Sequence, residues 1–300
     1  SILFTVLLLA LMIGGGVFTR RNLRLGRGDR RGAARLAYLN FLLMAIAWIL
    51  EEHHVPDFEE IDLLILFLNW ALFVTGLLWL LYVALEPFVR RRWPASLVSW
   101  SRLFAGGFRD PLVGRDLLVG CVIAAVFSSV EYVNYCLASW VGVPMNPPSY
   151  SWLDIFLGTR MALSEIPWAG AFSLLIGLAA LFLLFLFRVL LRRNWIAAVL
   201  FIVIATVFIS RGSDSPLIWI VNALEWATIY FILIRFGLLA LTASVMFALL
   251  LSTFPITPQL SAWYAGTGLA GVVLMLAFAA YAFHTSLGGR PMFQAKLLED

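Results

Sequence analysis

Long uncharged apolar runs alternate along the chain with short clusters of arginine or acid, a pattern that bilayer-spanning helices produce. Nine such helices are predicted, over 1–18, 36–50, 63–85, 117–141, 167–187, 195–210, 217–234, 238–254 and 263–284. A single helix over 217–254 would run ~57 Å, nearly twice a ~30 Å hydrocarbon core, so a break is predicted at Arg235, Phe236 and Gly237. Pro87 and Pro94 are expected to punctuate the end of the third helix. The Pro-rich stretch 143–150 followed by 152–165 is expected to be an outer loop carrying a short interfacial helix. Residues 93–116 mix Trp100, Leu103, Phe104 and Phe108 with Arg102, Arg109 and Arg115, too polar to cross but suited to lying along the headgroups. The expected fold is therefore all-α: a polytopic integral membrane helical bundle of about nine transmembrane helices plus a cytoplasmic interfacial helix, folded as one transmembrane domain.

Composition removes the soluble alternative. The chain is 62% apolar and 13% charged, whereas a soluble domain carries about a quarter charged residues. A net charge of +4 raises the question of nucleic acid. Yet every basic residue except Lys296 is arginine, and the arginines stand beside apolar runs as topology signals do, so that role is excluded. Cys121 and Cys136 lie in one apolar run without C-x-x-C spacing, which indicates neither a disulfide framework nor a thiolate metal site.

The arginines also orient the chain. Arg20, Arg21, Arg24, Arg27, Arg30, Arg31 and Arg35 stand against Asp29 alone, and such a cluster stays in the cytoplasm. The next connection holds Glu51, Glu52, Asp57, Glu59, Glu60 and Asp62 with no basic residue, and belongs outside; Arg90, Arg91 and Arg92 return to the cytoplasm. Carried to the end, nine helices leave only Arg160 and Arg211 outside, with the first residue external and the tail cytoplasmic. Eight helices with one long tilted seventh would put Arg290 and Lys296 outside and fit less well. The location expected is the bacterial cytoplasmic membrane. The chain opens without the basic n-region or cleavage pattern of a secretory signal, and is expected to be the middle of a longer protein.

Four segments carry a resemblance: Arg20-Arg21-Asn22-Leu23-Arg24-Leu25-Gly26-Arg27-Gly28-Asp29-Arg30-Arg31-Gly32; Ala84-Leu85-Glu86-Pro87-Phe88-Val89-Arg90-Arg91-Arg92-Trp93-Pro94; Arg109-Asp110-Pro111-Leu112-Val113-Gly114-Arg115-Asp116; and Ser261-Ala262-Trp263-Tyr264-Ala265. Over nearly the whole chain these resemble the C-terminal membrane region of large bacterial serine/threonine protein kinases. The resemblance implies a cytoplasmic kinase domain upstream, then a membrane crossing and an extracytoplasmic region, then this polytopic segment. The kinase chemistry itself is not in these residues. No phosphate-covering glycine loop, H-R-D or D-F-G occurs, and the one lysine is Lys296.

Other chemistry is weak. Gly14, Gly15 and Gly16 lack a phosphate-binding lysine and fit close helix packing. His53 and His54 sit among acids but lack H-x-x-x-H spacing, so an ordinary solvated loop is expected and no metal or cofactor is assigned. Intramembrane proteolysis would need paired aspartates, a histidine set or a buried Ser-His pair inside the spans, and Ser128 and Ser129 have no such histidine. The deepest polar residues are Glu131 with Asn134 and Asn222 with Glu225. They could line an ion pathway in a transporter, but polar contacts between helices, with Tyr132, Tyr135 or Tyr230 as partners, are the expected role. Arg20, Arg21, Arg24, Arg27, Arg90, Arg91, Arg92, Arg109 and Arg115 are the candidates for contact with anionic lipid or a cytoplasmic partner. The functional expectation is a non-catalytic membrane-anchoring and sensory module, with an accessory subunit packed against other membrane proteins as the rival.

Overall fold

A computed structural model describes residues 2–52, 54, 57–141, 153–211, 215–257 and 259–289, with the side chains of 2, 131, 134–141 and 153 left out of the description. Among the described residues the regular structure is helical throughout: α1 (Ile2–Arg24), α2 (Arg30–Glu51), α3 (Glu59–Arg92), α4 (Val98–Phe104), α5 (Pro111–Val141), α6 (Thr159–Leu191), α7 (Asn194–Ser210), α8 (Pro216–Arg235), α9 (Leu238–Thr253) and α10 (Ala265–Ser286), with 3-10 turns at Pro94–Leu97 and Leu153–Leu157. Seven of these helices are long and apolar enough to cross a membrane, and α7 and α9 are shorter apolar helices. The protein is a multi-pass membrane protein that meets lipid along its sides. Large apolar side chains such as Ile13, Leu66, Leu72, Leu190 and Leu224 are exposed on those sides, where water would penalise them and hydrocarbon does not.

α6 is the hub, packed against α1, α2, α3, α7 and α9. On one flank α2 and α3 pair and α1 lies along α3; on another, α5 is sandwiched between α9 and α10; α7 and α8 pair on a third. Hydrophobicity does not hold helices together in lipid, so close approach must, and small residues supply it. A Cβ added at Gly114 would meet the backbone of Ala282, Thr285 and Ser286, and one at Gly120 would meet Ala243 and Ser244. α5 is thereby seated on α10 and α9 backbone to backbone. α9 has 16 residues, about 24 Å at ~1.5 Å per residue. It is buried among α5, α6 and α8 rather than set in lipid, so it need not match the hydrocarbon thickness.

The helices alternate in direction, as cross-helix contacts at both ends establish. At one end Asn22 of α1 meets Val83 of α3, Arg188 of α6 lies over Trp93 after α3, Gly237 before α9 abuts Ser96, and the start of α5 abuts the end of α10. At the other end Trp48 of α2 stacks on Phe67 of α3, Trp168 of α6 bonds Glu51, Ser210 of α7 bonds Asn222 of α8, and Phe156 packs on Trp263 and Tyr264 before α10. The arginine clusters gather at the first end and the acids of 51–62 at the second.

Three local expectations are modified. α3 does not stop before Pro87 but runs through it to Arg92, for a reason given below. α6 begins at Thr159 and includes Pro167, so the helix expected over 152–165 is replaced by the Leu153–Leu157 turn and the first turns of α6. In 93–116 the surface helix is confined to α4, seven residues long, because Pro111 already opens α5, a proline being preorganised for a helix start. The break at 235–237 is present. Gly237 has φ +97°, and its Cα faces the Ser96 carbonyl so closely that a Cβ would lie 2.6 Å from that oxygen, a position only glycine fits.

Candidate functional site

The basic end is built around Pro87. A proline has no N–H to give the carbonyl four residues back, so the Val83 oxygen loses its helical donor in a buried place. Asn22 replaces it. Its Nδ2 donates to Val83 O at 2.9 Å and to Ala84 O at 3.0 Å, with the side chain buried. One turn earlier the Thr19 hydroxyl donates to Leu80 O at 2.7 Å. Thr19 and Asn22, three residues apart, share one face of α1, and that face clips α1 to α3. This is why α3 continues past the proline.

The turn between α1 and α2 closes onto the same spot. Asp29 caps α2 by accepting the Gly32 amide at 2.9 Å, while its own amide is accepted by the Glu86 carboxylate. Glu86, buried, is also ion-paired with Arg90 one turn on. The Tyr82 hydroxyl lies beside Gly32. Two of the segments quoted above, 20–32 and 84–94, thus form a single polar lock.

A second set organises the α4–α5 turn. Arg102 donates to Asp110 at 2.8 Å, and Asp110 accepts the Leu112 amide at 2.9 Å at the start of α5. Desolvation opposes the ionised form of Asp110, but the Leu112 amide and the Arg102 guanidinium outweigh it and hold this carboxyl below the usual aspartate range. Tyr281 of α10 donates to Phe108 O at 2.6 Å, and Arg115 pairs with buried Asp116 at 2.8 Å while facing the Phe236 ring.

Of the arginines singled out from sequence, Arg90 and Arg115 are therefore tied into ion pairs, and Arg20, Arg21, Arg24, Arg27, Arg91, Arg92 and Arg109 project as exposed side chains around the same end. Of the intramembrane polar residues, the side chains of Asn222 and Glu225 are the described ones. Asn222 donates to the Ser210 hydroxyl at 2.8 Å, a contact that fastens α8 to α7, and Tyr230 accepts from Arg188. Glu225 is half-buried one turn after Asn222. Glu131 and Asn134 lie on the last turns of α5, with side chains outside the described ones. At the acidic end Trp168 donates to Glu51 at 3.1 Å and His54 bonds Glu60 at 2.5 Å; His53 is outside the described residues. Among the described residues, no three His, Cys, Asp or Glu side chains converge as metal ligands would.

Sequence reasoning passed over Thr19, Asn22, Tyr82 and Glu86, because an isolated polar residue at a helix end reads as a surface residue. The available signal was Pro87 inside an otherwise helical run, which demands a donor from elsewhere. It also passed over Arg188 and Arg192, which look like ordinary topology arginines. No protein-family model, curated protein or solved structure matches this chain.

Proposed function

We propose that this chain is the non-catalytic membrane-anchoring and sensory module of a receptor-type serine/threonine kinase, set in a bacterial cytoplasmic membrane with its basic end in the cytoplasm. The observation that carries the reading is the polar lock: segment 20–32 is joined to the start of segment 84–94 by the Asn22 bonds to the Val83 carbonyl freed by Pro87 and to the Ala84 carbonyl. Segment 109–116 lies at the same end, and 261–265 packs on Phe156 at the opposite one. Arginine bias supports the orientation. The sensory part rests on α4, which touches α2, α5 and α9, so a ligand with different affinity for two packings of those helices would move it.

The test is isolation of the native polypeptide from its membrane, with intact-mass measurement and an ATP phosphotransfer assay. The expected result is a mass well above 33.5 kDa together with serine/threonine phosphorylation. A polypeptide of 33.5 kDa without phosphotransfer overturns the reading.

A further inference from the structure

At the basic end a cavity of about 730 Å³ opens between the close of α3, the close of α6 and the start of α7. Arg92, Arg188 and Arg192 line it, and among the described residues no acidic side chain does. Phe88, Trp93 and Phe185 form the apolar wall. Three guanidinium groups around one space repel one another unless something negative joins them.

The positioning of these groups is specific. Arg188 is held with its guanidinium 4.1 Å from the Trp93 ring centroid and 3.4 Å from the Tyr230 hydroxyl, yet its Nε is buried with no hydrogen-bond partner. A buried donor on a charged group is costly to leave unmade. Arg192 has φ +56°, the one left-handed residue other than glycine among the described residues, a conformation such a side chain adopts at a cost. That twist reverses the chain, and α7 starts two residues later at Asn194, a lining residue, with no side chain capping its first amides. The negative end of α6 and the positive end of α7, about half a charge each, offset one another. What remains is the charge of the three arginines, with uncapped amides beside it, which is the chemistry that recognises phosphate.

We propose that this cavity binds a phosphate group, with Arg188 and Arg192 as its principal ligands and the aromatic wall against the apolar remainder of the molecule. Phosphate chemistry reaches this position from two sources, the headgroup of an anionic phospholipid and a soluble phosphate compound. The site is separate from the polar lock and independent of any attached kinase.

The test uses the whole chain in detergent micelles. In one arm phosphatidylglycerol is titrated into phosphatidylcholine micelles and lipid retention is counted by native mass spectrometry; in the other, inorganic phosphate is added with phosphatidylcholine alone and the melting temperature is followed. Arg192→Gln, at an exposed residue, and Arg188→Gln are compared with Arg30→Gln and Arg31→Gln, exposed arginines outside the cavity. Loss of one charge-assisted contact should weaken binding about ten- to hundredfold. Phosphatidylglycerol retention weakened only by the cavity substitutions supports the site with a lipid ligand. A phosphate-dependent melting shift abolished only by them supports it with a soluble ligand. Equal behaviour of cavity and control variants in both arms, with Arg192→Gln folded by circular dichroism, overturns the proposal.

Discussion

Replacing Asn22 with leucine removes two hydrogen bonds, to Val83 O and Ala84 O, and leaves the Val83 carbonyl without any donor, since Pro87 cannot provide one. A buried polar group left unmade costs about 1–3 kcal/mol, whereas polar contacts between membrane helices average about 0.6 and reach about 1.7 kcal/mol. The lock belongs toward the upper part of that second range, because its acceptor has no alternative in the folded chain. We expect Asn22→Leu to cost about 1–2 kcal/mol. The decisive comparison is with Pro87→Ala, which restores an N–H four residues after Val83. In that background Asn22→Leu should cost about 0.5 kcal/mol or less, giving a coupling of about 1 kcal/mol, beyond the ~0.3–0.5 kcal/mol scatter of independent sites. The assay is reversible unfolding by sodium dodecyl sulfate in mixed micelles, followed by the fluorescence of the 12 tryptophans. Additive effects of the two substitutions would refute the account of why α3 passes through its proline.

Gly237→Ala should destabilise the bundle by about 2 kcal/mol or more in the same assay, since a left-handed backbone costs a side chain roughly 1–2 kcal/mol and the new methyl would lie 2.6 Å from the Ser96 oxygen; an unchanged midpoint would contradict the tight α9 junction. With both native cysteines replaced, Asp57→Cys should react with an impermeant maleimide in intact cells and Arg91→Cys only after permeabilisation, and labelling of both from one side would reverse the assigned topology. Asp110 is held below its ordinary pKa, so its contribution to stability is complete above the unfolded aspartate value of about 4 and fades as pH falls through the folded value. Asp110→Asn should accordingly flatten part of the loss in melting temperature below about pH 4; an identical acid profile in the variant would remove the assigned role of the Arg102–Asp110 pair.

Much of the architecture was legible because bilayer constraints are written residue by residue. The apolar runs marked the helices, and Gly237 marked the break between α8 and α9, where chain length made one helix impossible. Helix ends were less legible. Pro87 reads locally as a terminator, and only a residue sixty-odd positions away, Asn22, makes it an interior position. Likewise Pro167 reads locally as a boundary, yet α6 begins eight residues before it at Thr159 and runs through it. The site was hardest of all, since an arginine that fixes topology and one that lines a cavity are the same letter. Arg188 is distinguished by Trp93 and Tyr230, which meet it from other elements, and no spacing rule records such a meeting.

The lengths of α3 and α6 have a mechanical implication. At 34 and 33 residues each is a rod of about 50 Å piercing a film about 30 Å thick, so together their ends overhang the hydrocarbon by about 20 Å. A rod gripped in the middle and free at the tip magnifies rotation: a swing of about 10° moves an end of such a helix by several ångströms relative to its midpoint. The ends at Arg92 and Leu191 are not free in that sense: the Arg188 guanidinium over the Trp93 ring ties the two overhangs to each other.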